Sequence, residues 1–135
     1  MEIMPAGSRP TQPANPAYFT GTVLQDPVIA APDGTRLHAL IVHFAPGART
    51  HWHTHPHGQT LQVLSGVGRV QLAGESLREI RAGDTVWIAP GERHWHGAAP
   101  GVAMTHLAIQ EAGEDGMAAH WAEPVDEATA KATPT

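Results

Sequence analysis

Histidines alternate with other residues in two stretches of the chain, a spacing typical of a metal site built on strands. His53 and His55 lie two positions apart, Gln59 follows them, and His94 lies in the second stretch. Side chains at positions i and i+2 of a strand point to the same face, so both imidazoles could reach one ion. A third imidazole and an amide oxygen could complete one side of the site. His53, His55, Gln59 and His94 are therefore candidate ligands of one divalent ion, and such an arrangement would make this chain a metalloprotein.

Two further histidines, His51 and His57, share the parity of His53 and His55. All four cannot bind one ion. Pro56 is expected to end the strand, so that His57 turns away, and His51 lies one step outside the pattern. We expect His51 and His57 to be outer-sphere or surface groups. The alternative is a histidine-rich strand that binds metal only adventitiously.

The expected ligands carry no charge, and this favours one kind of chemistry. Three neutral imidazoles and one amide leave the full charge on a divalent ion, whereas Glu in place of Gln59 would neutralise part of it. Such a site should stabilise an alkoxide well and a higher oxidation state poorly. Imidazole suits Zn, Fe and Ni, while oxygen donors favour harder ions such as Mn. Four protein ligands around an octahedral ion leave positions open, as a catalytic site requires.

Three more polar residues could face the same site. His96 follows His94 by two positions and points the same way on a strand. His106 and Gln110 share one face of residues 102–110. His96 is expected as an outer-sphere group or proton relay, and Gln110 as a hydrogen-bonding partner of the substrate or of His106. A lone histidine in a strand is often structural, so the residues alone leave the role of His106 open.

Composition excludes several classes of protein. The chain has 135 residues, which predicts one domain with a core of its own. A formal charge of −5 without blocks of like charge argues against nucleic acid as a partner. The chain has no cysteine, so disulfides and thiolate chemistry are excluded. No apolar run is long enough to span a membrane, and the first residues do not resemble a signal peptide, so a cytoplasmic location is expected.

Short β-rich runs separated by Gly and Pro turns dominate the middle of the chain. This organisation predicts an all-β sandwich or barrel. Residues 1–17 are rich in proline and are expected to form an extended N-terminal arm, with the domain at 18–111. Residues 112–135 are expected to be an acidic tail that ends in a short C-terminal helix or frays. Three tryptophans are expected in the core: Trp52, Trp87 and Trp95.

Two segments carry the resemblance to a known family. Gly47-x5-His53-x-His55-x3-Gln59-x6-Gly66, followed by Gly83-Asp84 through Pro90-Gly91-x2-His94-x3-Ala98, resembles the two motifs of the cupins. The resemblance implies a double-stranded β-helix, that is, a jelly-roll barrel. Two departures are visible. The usual Glu of the first motif is Gln59, and the second motif has one extra residue before Pro90.

The likeness extends to one group within that family. The strings H-x-H-P-x-G-Q-T-L, P-G-E-R-H-W-H-G-A-A-P and M-T-H-L-A-I-Q-E resemble small bacterial cupins that act as manganese-dependent hydroxynitrile lyases. The resemblance implies Mn as the cofactor, with Fe, Zn or Ni as alternatives, on the four expected ligands. It also implies His106 as the acid–base group. The implied reaction is the reversible cleavage of an (R)-cyanohydrin such as mandelonitrile to an aldehyde and hydrogen cyanide.

The same resemblance implies where the substrate lies. Leu40, Val42 and Phe44 alternate along one run, and in the resembled enzymes these positions line the pocket. An apolar wall there would hold an aryl or alkyl group and exclude water. The other interpretation is that they are plain core residues. A homo-oligomer is also expected from the family.

Two other functions remain open at this point. One is a metal-dependent dioxygenase of the cupin type, which also uses three histidines. The other is a non-catalytic cupin that binds a ligand. O2 consumption by an Fe(II)-loaded sample and cyanide release from cyanohydrins distinguish them.

Overall fold

The computed structural model describes residues 1–135, which form twelve strands and one short helix. Four strands have eight or more residues: β3 (Val23–Ala30), β4 (Leu37–Phe44), β7 (Gln59–Leu72) and β11 (Met104–Glu111). The shorter elements are β1 (Gln12–Pro13), β2 (Phe19–Thr20), β5 (Arg49–Thr50), β6 (His53–Thr54), β8 (Arg78–Arg81), β9 (Thr85–Ile88), β10 (His94–Ala98), β12 (His120–Trp121) and α1 (Glu127–Ala130).

The strands form two antiparallel layers that share β7. One layer has the order β1-β3-β4-β11-β7-β9. The other has the order β8-β7-β10-β5-β2, and β6 lies between β10 and β12. Because β7 passes from one layer to the other, the sheet curls into a barrel. The expected all-β jelly roll with a short C-terminal helix is confirmed.

Gly66 allows β7 to change layers. Its φ is +80°, and a Cβ at this position would clash with the carbonyl of Ala103 on the chain leading into β11. Only glycine tolerates both conditions. The register between β7 and β11 also shifts between Thr105 and His106, as expected where a strand bends. The first part of β7, which carries Gln59, therefore stays beside β11.

The inner faces of the two layers form the apolar core. Alternation along β4 turns Val42 and Phe44 inward, and Phe44 is only 1% exposed. Removing a buried aromatic ring of this kind costs about 3–5 kcal/mol. The largest core cluster contains nine buried side chains: Val23, Val42, Phe44, Ala48, Val63, Val70, Ile80, Ala98 and Met104. The buried histidines occupy the continuation of the same interior.

Both ends of the chain pack on the barrel. β1 pairs with β3, and β12 pairs with β6. Asp126 caps α1 by accepting a hydrogen bond from the backbone N–H of Thr129. The buried guanidinium of Arg69 donates to the carbonyls of Ala130 and Ala132 at 2.8 Å each. Residues 112–135 thus contact the barrel at several points, and the domain boundaries stay a prediction.

The three tryptophans expected in the core differ in burial. Trp95 is buried against Leu77 and Val125, and Trp52 packs at the margin of that cluster. The prediction for Trp87 is wrong, because its side chain is 62% exposed. Ile88 points inward from β9, so its neighbour Trp87 must point outward. No helix in the structure combines the length and apolar character needed to cross a membrane.

Candidate metal centre and adjoining cavity

A cavity of about 80 Å³ lies between the two layers at the histidine-rich end of the barrel. Strands of both layers and the segment before β12 contribute to its wall. The side formed by β4 is apolar, with Leu40, Val42 and Phe44, whereas histidines and glutamines from other strands contribute polar groups. The lining residues are Phe19, Gln25, Leu40, Val42, Phe44, Thr50, His53, His55, Gln59, His96, His106, Ala108, Gln110, Ala119 and Trp121.

Two of the expected ligands face each other across neighbouring strands. His53 of β6 and His94 of β10 are paired residues, and their ring centroids lie 4.2 Å apart. Both side chains are buried. Gln59 at the start of β7 places Oε1 3.2 Å from Nε2 of His94. The structure therefore brings His53, His94 and Gln59 to one point.

Backbone carbonyls determine the orientation of three of these rings. Nδ1 of His53 donates to the carbonyl of His51 at 2.9 Å, and Nδ1 of His94 donates to that of Glu92 at 2.9 Å. Nδ1 of His55 donates to the carbonyl of Ala118 at 2.7 Å. A neutral imidazole that is protonated at Nδ1 carries its lone pair on Nε2, and this is the usual support of a metal-bound histidine.

The residues present fit a divalent cation. Nε2 of His55 is buried without a hydrogen-bonding partner, and such an atom is normally satisfied in a folded protein. Its ring lies 4.9 Å from that of His53 and 5.4 Å from that of His94, between centroids. A cation among these rings would accept the lone pair of His55. Imidazole and amide donors suit several first-row divalent ions.

The tightest group of ligand atoms differs from the expected set. Donor atoms of His53, His94 and His96 lie within 4.8 Å of one another, and this buried site could hold a metal ion. His55 lies beside this group and not within it. His96, expected as an outer-sphere or relay group, is therefore nearer to the possible cation position than its place in the sequence indicated.

His96 also pairs with His106. Nδ1 of His96 lies 3.0 Å from Nε2 of His106, and one of these nitrogens must donate to the other. Nε2 of His96 and Nδ1 of His106 have no partner, although both rings are buried. The His106 ring packs against Phe44, with centroids 5.2 Å apart. The pair connects the apolar side of the cavity to the metal-binding group, by which we mean the expected ligands His53, His55, Gln59 and His94.

Burial keeps these histidines neutral. Loss of solvation lowers the pKa of His94 and that of His106 to about 4 in each case. Loss of solvation is also the main cause that lowers the pKa values of His53, His55 and His96, and neighbouring imidazoles lower them further. Near pH 7 all five rings are uncharged, which is the form that binds a cation.

Gln110 orients Gln59. The side-chain amide of Gln59 donates from Nε2 to Oε1 of Gln110 at 3.1 Å, so Oε1 of Gln59 points towards His94. Gln110 was expected to contact the substrate or His106. The structure places it in the cavity wall, hydrogen-bonded to Gln59.

The remaining expected residues lie as follows. Leu40, Val42 and Phe44 line the apolar side of the cavity. His51 is buried beside the site and contributes its carbonyl to His53, while His57 is exposed.

Sequence reasoning missed several contributors to the cavity or to its ligands, three of which lie in the C-terminal part of the chain. Trp121 and Ala119 line the cavity, and Ala118 supplies the carbonyl that holds His55. None of them belongs to a motif. The only sequence signal for this region was Trp121 itself, because aromatic residues make up only 5% of the chain.

The fold and the site together define the class of protein. The family model described as Cupin domain matches residues 40–109, which include both histidine motifs. The chain belongs to the cupin domain family.

Within and beyond this family, the chain is similar to several individual proteins. The chain is 54% identical over 125 residues to an (R)-mandelonitrile lyase of Granulicella tundricola, covering 93% of this chain and 95% of the relative. It is also similar to a cupin-like protein of Thermotoga maritima of known crystal structure, with 36% identity, a TM-score of 0.81 and coverage of 96% and 95% of the two chains. The polyketide cyclase RemF of Streptomyces resistomycificus shares the fold, with a TM-score of 0.72, 20% identity and coverage of 84% of this chain and 80% of RemF.

Proposed function

We propose that this protein is a metal-dependent hydroxynitrile lyase that cleaves and forms (R)-cyanohydrins such as mandelonitrile. The observation that carries the proposal is the His96–His106 pair, buried between the neutral metal-binding group and an apolar wall. The identity of 54% to a relative named (R)-mandelonitrile lyase supports it. The reaction converts a cyanohydrin to an aldehyde and hydrogen cyanide, so one proton must move from oxygen to cyanide.

The proposed ligands are His53, His55, Gln59 and His94. In the three histidines a backbone carbonyl accepts from Nδ1, so that the lone pair of the neutral ring is on Nε2. His96 differs, since its Nδ1 is shared with another imidazole. When bound, a divalent cation, in our proposal Mn, supplies positive charge that lowers the pKa of a neighbouring hydroxyl group.

His106 is the proposed acid–base group. Because burial lowers its pKa to about 4, the ring is neutral before the reaction. The proton that it hands to cyanide must therefore come from the hydroxyl group of the substrate. The ring of His96 neighbours those of His53 and His94 and also contacts His106, so His96 can pass that proton along the 3.0 Å contact. In synthesis His106 takes the proton from hydrogen cyanide.

The apolar side of the cavity is the proposed binding surface for the organic group of the substrate. Leu40, Val42 and Phe44 exclude water there, and exclusion of water strengthens the electrostatic effects of the site. The cavity of about 80 Å³ is small compared with the roughly 300 Å³ of sites for drug-sized ligands. A test therefore needs alkyl as well as aryl cyanohydrins.

The central experiment measures cyanide release from mandelonitrile and from an aliphatic cyanohydrin. Metal-stripped protein is reloaded with Mn, Fe, Zn or Ni, and His55→Ala and His96→Ala are compared with the parent. We expect His55→Ala to lose bound metal, and His96→Ala to keep the metal and lose activity. The reverse result would assign His96 as the ligand. No cyanide from either substrate class with any metal would refute the lyase proposal.

A second candidate is a cupin-type dioxygenase. The group of His53, His94 and His96 favours it, because three histidines can hold Fe(II) with positions open for O2. O2 consumption by the Fe(II)-loaded protein would support this function. The neutral oxygen donor of Gln59 in place of a carboxylate argues for the lyase.

Two further predictions concern the protein in the cell. We propose a cytoplasmic location and a homo-oligomeric state, which cell fractionation and light scattering measure. The proposed partners are small molecules, namely the cyanohydrin, the aldehyde and cyanide.

A further inference from the structure

Three aromatic rings from distant parts of the chain stack at the edge of the metal-binding group. The indole of Trp121 lies against the imidazole of His53, with centroids 4.5 Å apart and 30° between the planes. Tyr18 covers the indole, with centroids 4.8 Å apart and 10° between the planes. Trp121 thus contacts a residue of the first histidine motif on one face and Tyr18 on the other.

The backbone holds the indole in this place. β12 pairs with β6 so that Trp121 is opposite His53, and His120 is opposite Thr54. The N–H of Ala122 donates to the carbonyl of Trp52 at 2.8 Å, which continues the same pairing by one residue. Side chains of paired residues in an antiparallel sheet are close neighbours. The stack on His53 follows from this register.

Two contacts together restrict the His53 ring. The hydrogen bond from Nδ1 to the carbonyl of His51 holds one ring atom, but the ring can still tilt about that contact. A flat surface against the ring removes the tilt. The direction of the Nε2 lone pair is then determined, and metal affinity depends on that direction.

We infer that Trp121, backed by Tyr18, is a positioning residue that holds the plane of the His53 imidazole for metal binding. The C-terminal segment is therefore part of the metal site, since it also supplies the Ala118 carbonyl to His55. This inference rests on the proposed function in one respect, namely that His53 is a metal ligand.

The test compares Trp121→Phe with Trp121→Leu in the full-length protein. Phe keeps a flat ring, whereas Leu keeps apolar volume without one. The affinity for Mn(II) is measured by competition with a chromophoric chelator. We expect Trp121→Leu to weaken binding by about 10- to 100-fold, the range for outer partners of metal ligands. Trp121→Phe should bind nearly as tightly as the parent.

Trp87→Ala is the matched control, because this tryptophan is exposed on the outside of the barrel. It should leave Mn(II) affinity unchanged. The electron paramagnetic resonance spectrum of bound Mn(II) should change in Trp121→Leu and not in the control. Thermal unfolding of metal-free Trp121→Leu and Trp87→Ala shows whether each variant is folded. Tyr18→Leu removes only the ring that backs the indole, so it should weaken Mn(II) binding less than Trp121→Leu does.

The outcomes separate this inference from the metal site itself. If the parent binds Mn(II) and folded Trp121→Leu binds it equally tightly with the same spectrum, Trp121 has no positioning role. If Trp121→Leu does not fold, equal affinities of Tyr18→Leu and the parent overturn the inference. If the parent binds no metal, or binds it as tightly after His94→Ala, the proposed metal site is wrong.

Discussion

The histidines in the interior of the barrel contrast with His43, which lies on the outer face of the β3-β4-β11 layer. On the outer face, Nε2 of His43 lies 2.7 Å from a carboxylate oxygen of Asp26, and Nδ1 lies 3.1 Å from the hydroxyl of Thr105. Both nitrogens of His43 have side-chain partners. In the interior, by contrast, His53 and His55 keep Nε2 free of any carboxylate, and backbone carbonyls hold their Nδ1 atoms.

The difference shows that the surroundings of an imidazole determine whether its lone pair is available to a cation. A half-exposed ring between a carboxylate and a hydroxyl has no lone pair left for a cation. On that face the carboxylate titrates unusually, because hydrogen bonds from Thr11 and then from His43 lower the pKa of Asp26. In the interior, burial lowers the pKa values of the imidazoles themselves, so they remain neutral ligands or bases.

The largest effect expected in this comparison is that of metal removal. Chelation and dialysis should reduce cyanide release to the uncatalysed rate, because the interior histidines alone supply no positive charge near pH 7. Addition of Mn should restore the activity. The assay is cyanide release with metal content measured on the same sample. Full activity in metal-free protein would show that the interior histidines act without a metal ion.

His106→Ala should have the next largest effect. A positioned acid–base group contributes about 10²- to 10⁴-fold, so cyanide release should fall by that factor. Metal content should stay at the parent level, because His106 lies on the far side of His96 from the metal-binding group. Loss of metal in this variant would instead indicate a structural role for the ring.

A third prediction concerns stability in acid. The pKa of His106 is lowered to about 4 in the folded protein, whereas its value in the unfolded chain is about 6.5. Below pH 6.5 the unfolded chain therefore binds more protons than the folded protein. The free energy of unfolding should fall between pH 6.5 and pH 4, on the order of 3 kcal/mol for this group.

Urea denaturation of metal-free protein at several pH values in this window measures the effect. His106→Ala should show a weaker dependence on pH than the parent. Identical curves for the two proteins would mean that the buried ring titrates normally.

The smallest effect is expected on the outer face. His43→Ala removes a half-exposed side chain on the opposite face of the sheet from the cavity, so cyanide release should stay within about a factor of two of the parent. Metal content should also be unchanged. A large loss of activity or metal would show that the two histidine regions are coupled, and the comparison would need another explanation.

The spacing of residues along the chain predicted the features that depend on strand alternation and on turns. The parity of His53, His55 and His94 placed them on inner faces, and the Gly and Pro turns indicated a barrel of short strands. The same parity argument should have placed Trp87 outside, since Ile88 next to it is buried. Treating Trp52, Trp87 and Trp95 alike as core residues caused that error.

Contacts between distant segments could not be predicted. The Ala118 carbonyl lies 63 residues along the chain from His55, and β12 contains only two residues, too few for a periodic pattern. Its register depends on how the C-terminal segment packs. The distance from His96 to the other ligand atoms depends in the same way on the tilt of β10 in the finished barrel.

The support of the three Nδ1 atoms has a consequence for how this protein tolerates change. The acceptors belong to the main chain of His51, Glu92 and Ala118, so any residue type at these positions supplies the same oxygen. Point substitutions at these positions therefore leave the acceptors of the three Nδ1–H groups in place. An insertion or deletion in the loop before β12, however, would shift the path of the peptide and withdraw an acceptor. Loop length, more than residue identity, is therefore what engineering of this region must preserve.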